Sequence, residues 1–233
     1  MSEVKPKKRV LTDWDGVHVD FVSKYLQCLR AAVGKTFKYE QVTQWDVGKS
    51  IGLSDPELEK VHRLLYSPGV ASSIAFYNES LDVIPRLWDL SDLWVVTTPL
   101  DENPTWEFER RRQIERAFPK LTLHKRIYSV PEKAAIRGDI FIDDKLTNAV
   151  AWADANPTGV SILWDGPWNS SWRLDSNLVR LPWMPLPEAR ETASEDYAEE
   201  VAKLKVYRVD RRPNCFLMSS WKVVYALLQV GWV

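Results

Sequence analysis

Cysteine is nearly absent. The 233 residues include two, Cys28 and Cys215, too few for a disulfide framework, and Cys28 falls on the apolar side of a helical pattern where a small thiol packs as a buried hydrophobe. A reducing, cytoplasmic setting is expected. Charge of one sign is also lacking: 31 lysines and arginines face 32 aspartates and glutamates, a formal net charge of −1. No overall field steers the chain toward a nucleic-acid polymer or an anionic membrane, so an anionic ligand has to be held locally. Hydrophobic runs of membrane-spanning length are missing, and the apolar stretch after the basic opening MSEVKPKKR is too short for a secretion signal. Internal repeats and low-complexity tracts are absent as well. One sizeable core domain with an insertion suits this length.

Against these absences stand twelve tryptophans, large rings whose ordinary place is packing, and an alternation of strand and helix signals. Val22, Tyr25, Leu26, Leu29 and Val33 recur at helical spacing up to a stop at Gly34. Ser54 with Glu57 forms a capping-box pattern with Pro56 in the first turn, and SPG at 67–69 ends that helix. A further helix beginning near Ser80 carries Leu81, Ile84, Leu87 and Trp88, which confines Pro85 to its first turn. LWVVTTP (93–99), GDIFIDD (138–144) and the run from Gly159 read as buried strands, RIYSV (126–130) as a weaker one, with helices after Asn103-Pro104 and from Leu146 to Ala153. Such alternation predicts an α/β fold with a mostly parallel sheet covered on both faces.

Three strands end in polar groups that would meet at one sheet edge: Asp13 in RVLTDWDGVHVDF, Thr97, and the pair Asp143-Asp144. Ligands of open parallel sheets bind beyond the carboxyl ends of the strands. Residues 34–80 hold helices and no clear strand, so they are expected to lie over that edge as a helical cap. The core domain is then 1–33 and 81–187. Residues 188–233 form a C-terminal extension with no assigned role, in which an acidic helical segment precedes a stripe of Leu217, Trp221, Val224 and Leu228. That stripe packs on the core or forms an oligomer contact, a homodimer being the alternative to a monomer.

Asp13-x-Asp15-Gly16, Thr97, Lys133 and Asp143-Asp144, in this order, resemble the motifs of haloacid dehalogenase superfamily phosphatases. DWDGVHVDF, VVTTP, EK followed by IDD, and ILWDGPWN, with QWDVGKSIGLS and LYSPGV in the insertion, are most similar to the 5′(3′)-deoxyribonucleotidase family. The resemblance spans about 9–170. It implies a Rossmann-like parallel sheet, a small cap inserted after the first strand and helix, and hydrolysis of nucleoside monophosphates. It also implies that Phe21, Trp45 and Val47 contact the base and that Asp15 offers its backbone carbonyl to the metal. His18 stands where the family has an aliphatic residue and is expected to line the site.

The chemistry of the residues agrees. Asp13 can attack phosphorus to form an aspartyl-phosphate, and Asp15 can protonate the leaving alkoxide and later activate water. Thr97 can donate a hydroxyl to a phosphate oxygen with Thr98 beside it, while Lys133 neutralises charge. Four carboxylates against one lysine leave a negative site that needs a divalent cation before a dianion can bind. Oxygen-only ligands from Asp13, Asp15, Asp143 and Asp144 favour Mg²⁺. The expected activity is Mg²⁺-dependent hydrolysis of nucleoside 5′-monophosphates, foremost deoxyribonucleotides, with a small nucleotide as partner and neither membrane nor nucleic-acid polymer. The alternatives are a phosphatase for a sugar phosphate or a polynucleotide end, and a phosphate-binding protein without turnover.

Overall fold

The structure, a computed structural model, describes residues 6–174, 177–179 and 205–230. Strands β1 (Arg9–Thr12), β2 (Asp92–Thr97), β3 (Ile127–Ser129), β4 (Ile140–Asp143), β5 (Val160–Trp164), β6 (Leu178–Val179), β7 (Val206–Arg208) and β8 (Cys215–Met218) form one sheet in the order β3-β2-β1-β4-β5-β8-β7-β6. The run from β3 through β8 is parallel, and β7 and β6 continue it antiparallel. Among the described residues the long helices of the core half are α4 (Asn78–Leu90), α5 (Trp106–Ala117), α7 (Leu146–Ala155) and α8 (Trp221–Val230), with a short α6 (Pro119–Leu123) after α5. Val10, Leu93, Val95, Ile140, Ile142 and Ile162 fill one face of the sheet, while Leu11, Val96 and Phe141 meet Trp152 of α7 on the other. The strand period of two thus sorts neighbouring apolar residues onto opposite faces.

Between β1 and α4 lie α1 (Phe21–Val33), α2 (Val47–Ser50) and α3 (Asp55–Leu65). Asp20 caps α1 by accepting from Ser23 N, and Gly34, at φ 75°, closes it with a bond to Arg30 O. The Ser54/Glu57 capping box is formed at α3. Val22, Tyr25, Cys28 and Leu29 of α1 pack with Val42, Val47, Leu53, Val61 and Leu65 in a cluster of their own. Helix α1 therefore buries its apolar stripe against the insertion, and residue 34 falls inside one packed unit.

Two expectations change. Pro85 does not sit in a first turn: α4 starts at Asn78 and carries it mid-helix. The ring has no N–H for Leu81 O, but both residues are exposed, so water can serve the orphaned carbonyl. In the C-terminal extension, Leu217 belongs to β8, which pairs with β5 in parallel register Leu163↔Leu217. Its neighbours Trp221 and Val224 are buried on α8, and Leu228 packs against the main core. The helical period ran on into a strand because a single apolar residue at the right offset fits either pattern. The acidic segment before Lys205 lies outside the described residues.

Replacing Pro85 with alanine restores the missing donor at an exposed position and should stabilise the fold by about 1–2 kcal/mol after the loss of proline's restraint on the unfolded chain. Urea unfolding checks this; a lower midpoint would show that α4 is shaped around the ring.

Candidate active site

The parallel register brings the C-terminal ends of β1, β2 and β4 side by side, with β1 in the middle. Asp13 leaves β1 with its N–H on Ile142 O at 2.7 Å, and Trp14 N donates to Asp13 Oδ1 at 2.7 Å. The following loop folds on itself, as Gly16 N donates to Val19 O and both His18 N and Val19 N donate to Trp14 O. Gly16 has φ +74°, and a Cβ there would fall 1.8 Å from Asp144 Oδ2. Glycine is required on both counts.

Lys133, on a 3₁₀ turn (Lys133–Ala135), reaches under this loop. Its Nζ is 2.8 Å from Asp13 Oδ2 and 2.8 Å from Asp143 Oδ2. Asp143 also accepts from Lys145 N and from Asn148 Nδ2. The backbone carbonyl of Asp144 is pinned by Trp168 Nε1 and Asn169 Nδ2, whereas its buried Oδ1 has no partner. Carboxylate oxygens of Asp13, Asp143 and Asp144 lie within 4.8 Å of one another. Burial raises the carboxyls of Asp13 and Asp144 above the ordinary range, Asp143 adds to the rise, and Lys133 opposes it. Burial opposes the Lys133 charge as well, yet Asp13 and Asp143 hold its pKa above the ordinary value. Three crowded acids with one orphaned oxygen fit a divalent cation bound through oxygen.

Asp15 stands apart from this cluster. Its Oδ1 accepts from Nη2 of Arg110 at 2.5 Å. Burial raises its carboxyl, and Arg110 foremost pulls it back. Thr97 is buried at the end of β2, and the hydroxyl of Thr98 donates to Val130 O. Asp13, Asp15, Thr97, Thr98, Lys133 and Asp144 form the floor of a cavity of about 380 Å³ whose walls include Phe21, Tyr25, Trp45, Val47, Tyr66, Trp106 and Trp168. Trp45, 48% exposed, stands edge-on to Trp168 at 6.3 Å with the Lys145 ammonium 5.5 Å over its face.

His18 is the correction. It does not line the cavity; it is fully buried behind the loop, its Nε2 2.9 Å from Thr12 Oγ1 and its ring stacked on Trp221 at 5.1 Å. The loop turns at Gly16 and folds back onto Trp14, and this reversal carries His18 to the core side. Sequence reasoning missed Arg110, Asn148 and the contribution of Trp168. Arg110 sits in the charged run ERRRQ, where only its phase, one turn after the buried Trp106 and one before Ile114, sets it apart.

Residues 7–176 match the family of 5′-nucleotidase, deoxy (pyrimidine), cytosolic type C proteins. The chain belongs to this family. Its members are phosphoric monoester hydrolases of the 5′-nucleotidase type, and so is this chain. Among solved structures it is similar to a HAD family hydrolase from Deinococcus radiodurans R1 with bound phosphate and sodium (TM-score 0.50, 13% identity, covering 98% of each chain). It is also similar to the HAD-hydrolase YfnB from Bacillus subtilis bound to magnesium (TM-score 0.50, 15% identity, 96% of this chain and 99% of that one). At these identities the likeness is one of fold. No helix among the described residues is long and apolar enough to cross a membrane.

Burial pushes the His18 imidazole down to about 3 from its ordinary 6.5. The unfolded chain then binds the extra proton first, so this histidine's contribution to stability is lost as pH falls from 6.5 toward 3. Imidazole NMR signals of His18 should stay those of a neutral ring from pH 8 to about 4. A titration midpoint near 6.5 would contradict its burial.

Proposed function

We propose that the chain hydrolyses nucleoside 5′-monophosphates, foremost deoxyribonucleotides, with Mg²⁺ and through an aspartyl-phosphate on Asp13. The observation that carries this reading is the pairing of a polar floor with an aromatic wall in one cavity of about 380 Å³, inside the range of small-molecule sites. Phosphate belongs on the floor. There Asp13 attacks in line, Lys133 favours its carboxylate against the rise that burial causes, and Thr97 offers a donor at the strand end. Asp15, whose carboxyl burial raises above the ordinary range against the pull of Arg110, gives its proton to the leaving 5′-oxygen and, as the carboxylate that this leaves, takes one from water in the second step.

Mg²⁺ would be held by Asp13, by Asp144 through its unpartnered oxygen and by the Asp15 carbonyl, and when bound it offsets the charge of the phosphate. Asp143, whose oxygens are taken up by Lys133, Lys145 and Asn148, acts as the support of that group. The sugar and base then extend toward Phe21, Trp45 and Val47. Aromatic faces can stack on a base, which a sugar phosphate lacks. On this reading residues 34–80, packed against α1, are the cap that closes the cavity.

Asp13→Asn should reduce turnover to background with the fold intact, because an amide is a very poor nucleophile of nearly the same shape. Chelation of the wild type should do the same, reversed by Mg²⁺. Phosphate release from a panel of deoxy- and ribonucleotides and sugar phosphates is the measurement, and full activity in the chelated enzyme or the Asn variant would remove the proposed mechanism.

Trp45→Ala should lower kcat/KM for nucleotides by about 1–3 kcal/mol through lost stacking. The loss on p-nitrophenyl phosphate, which has no base, should be far smaller. Equal losses would return Trp45 to general packing of the cap.

A further inference from the structure

Behind the cavity floor, one buried amide joins three parts of the molecule. Gln113 lies on α5, one turn after Arg110 and 7% exposed. Its Oε1 accepts from Arg110 Nη1 and from the indole Nε1 of Trp14 at 3.1 Å. Its Nε2 donates to Ile74 O at 2.6 Å. Two donors saturate the amide oxygen and a carbonyl faces the amide nitrogen, so only one orientation of the group satisfies its surroundings. Trp14 is the residue between Asp13 and Asp15. Arg110 is the partner of Asp15, and its Nη1 also donates to Ala71 O at 3.0 Å.

The segment running from Gly69 to Ile74 leads back from the helical insertion to the core. Helix α5 clasps it at several points: Glu109 accepts from Gly69 N at 2.6 Å and Ser72 N at 3.2 Å, Arg110 holds Ala71 O, and Gln113 holds Ile74 O. The same arginine and glutamine face the loop that carries the reacting acids. A shift of this segment by a fraction of an ångström would have to be shared by Gln113 and Arg110, because both are buried and neither has free room to turn.

We infer that Gln113 is a positioning residue: it fixes the Arg110 guanidinium and the Trp14 indole together, and so ties the aim of the Asp15 carboxylate to the seating of the 69–74 segment. The inference rests on the proposed acid role of Asp15. A general acid contributes about 10²–10⁴-fold only when it meets the leaving oxygen at hydrogen-bond distance, and a misplacement of about 1 Å can cost on the order of 10²-fold. Gln113 touches neither phosphate nor the leaving group. Its removal should therefore appear as a loss of acid catalysis and leave substrate binding in place.

The experiment is rapid-quench measurement of phosphoenzyme formation in the full-length chain. Gln113→Met, which keeps length and volume and removes every polar contact, is compared with the wild type on a deoxynucleotide and on p-nitrophenyl phosphate, whose phenolate leaves with little help. Expected is a slowing of about tenfold or more on the nucleotide, at least threefold less on the aryl ester, with KM for both within about twofold. Equal slowing on both esters by Gln113→Met overturns the inference and leaves Gln113 a packing residue. Asp15→Asn measured alongside separates the two levels: if that variant also slows both esters equally, the acid role itself fails and the positioning role falls with it. Should Gln113→Met fail to fold, Trp14→Phe, which removes the indole N–H together with part of the buried ring, is judged by the same leaving-group contrast.

Discussion

The ammonium of Lys133, 2.8 Å from both Asp13 and Asp143, is the contact on which the site depends. Carboxylates at this density raise one another's pKa and pass to their neutral forms unless positive charge is placed among them. On the proposed mechanism a neutral Asp13 would be no nucleophile. Lys133 can reach both acids because β4 lies next to β1 and the 3₁₀ turn that carries the lysine follows the carboxyl end of β3, at the same edge of the parallel sheet. That turn is itself held from behind, where Trp152 Nε1 donates to Ile136 O at 2.8 Å and Asn156 Nδ2 to Ala134 O at 3.4 Å. Sheet order, the packing of α7 and the charge state of the acid are thus one arrangement seen at three scales. Still, a single lysine leaves Asp144 Oδ1 without a partner, and that residual imbalance is what a divalent cation would remove.

The site was legible in the sequence where chemistry is tied to strand ends. Asp13, Thr97 and Asp143-Asp144 each follow a buried apolar run, and parallel pairing carries such residues to one edge whatever the loops do. Legibility failed where a residue's partner comes from elsewhere in the fold. Arg110 and its neighbours Arg111 and Arg112 look alike in the chain, but Arg111 and Arg112 pair with Glu107 and Glu115 in solvent while Arg110 turns inward to Asp15. Pro85 violates a helix rule whose cost falls when the freed carbonyl can reach water, and Leu81 is half exposed. Strands β7 and β8 are three and four residues long, too short for an alternating pattern to rise above its surroundings.

His18 and the end of the chain explain each other. On sequence grounds His18 was a polar residue next to reacting acids, and the segment after 187 had no assigned role. In the structure Trp221, at the start of α8, stacks on the His18 ring at 14° and lies 4.3 Å from Trp164 of β5. The other side of the imidazole is taken up by Thr12 Oγ1 at 2.9 Å and Ser80 Oγ at 3.3 Å, so a neutral ring with one donor and one acceptor nitrogen meets two hydroxyls. Such a ring cannot take a proton without exposing charge to an apolar wall of tryptophan, which is why burial drives its pKa down. Family resemblance covers residues 7–176, yet the loop that holds Asp13 and Asp15 is braced from behind by residues 215–225, through a sheet strand and an aromatic stack. The seating of this loop is therefore set partly by a stretch outside the matched region: a change that unseats α8 would reach Asp13 through Trp221, His18 and Thr12, the last residue of β1.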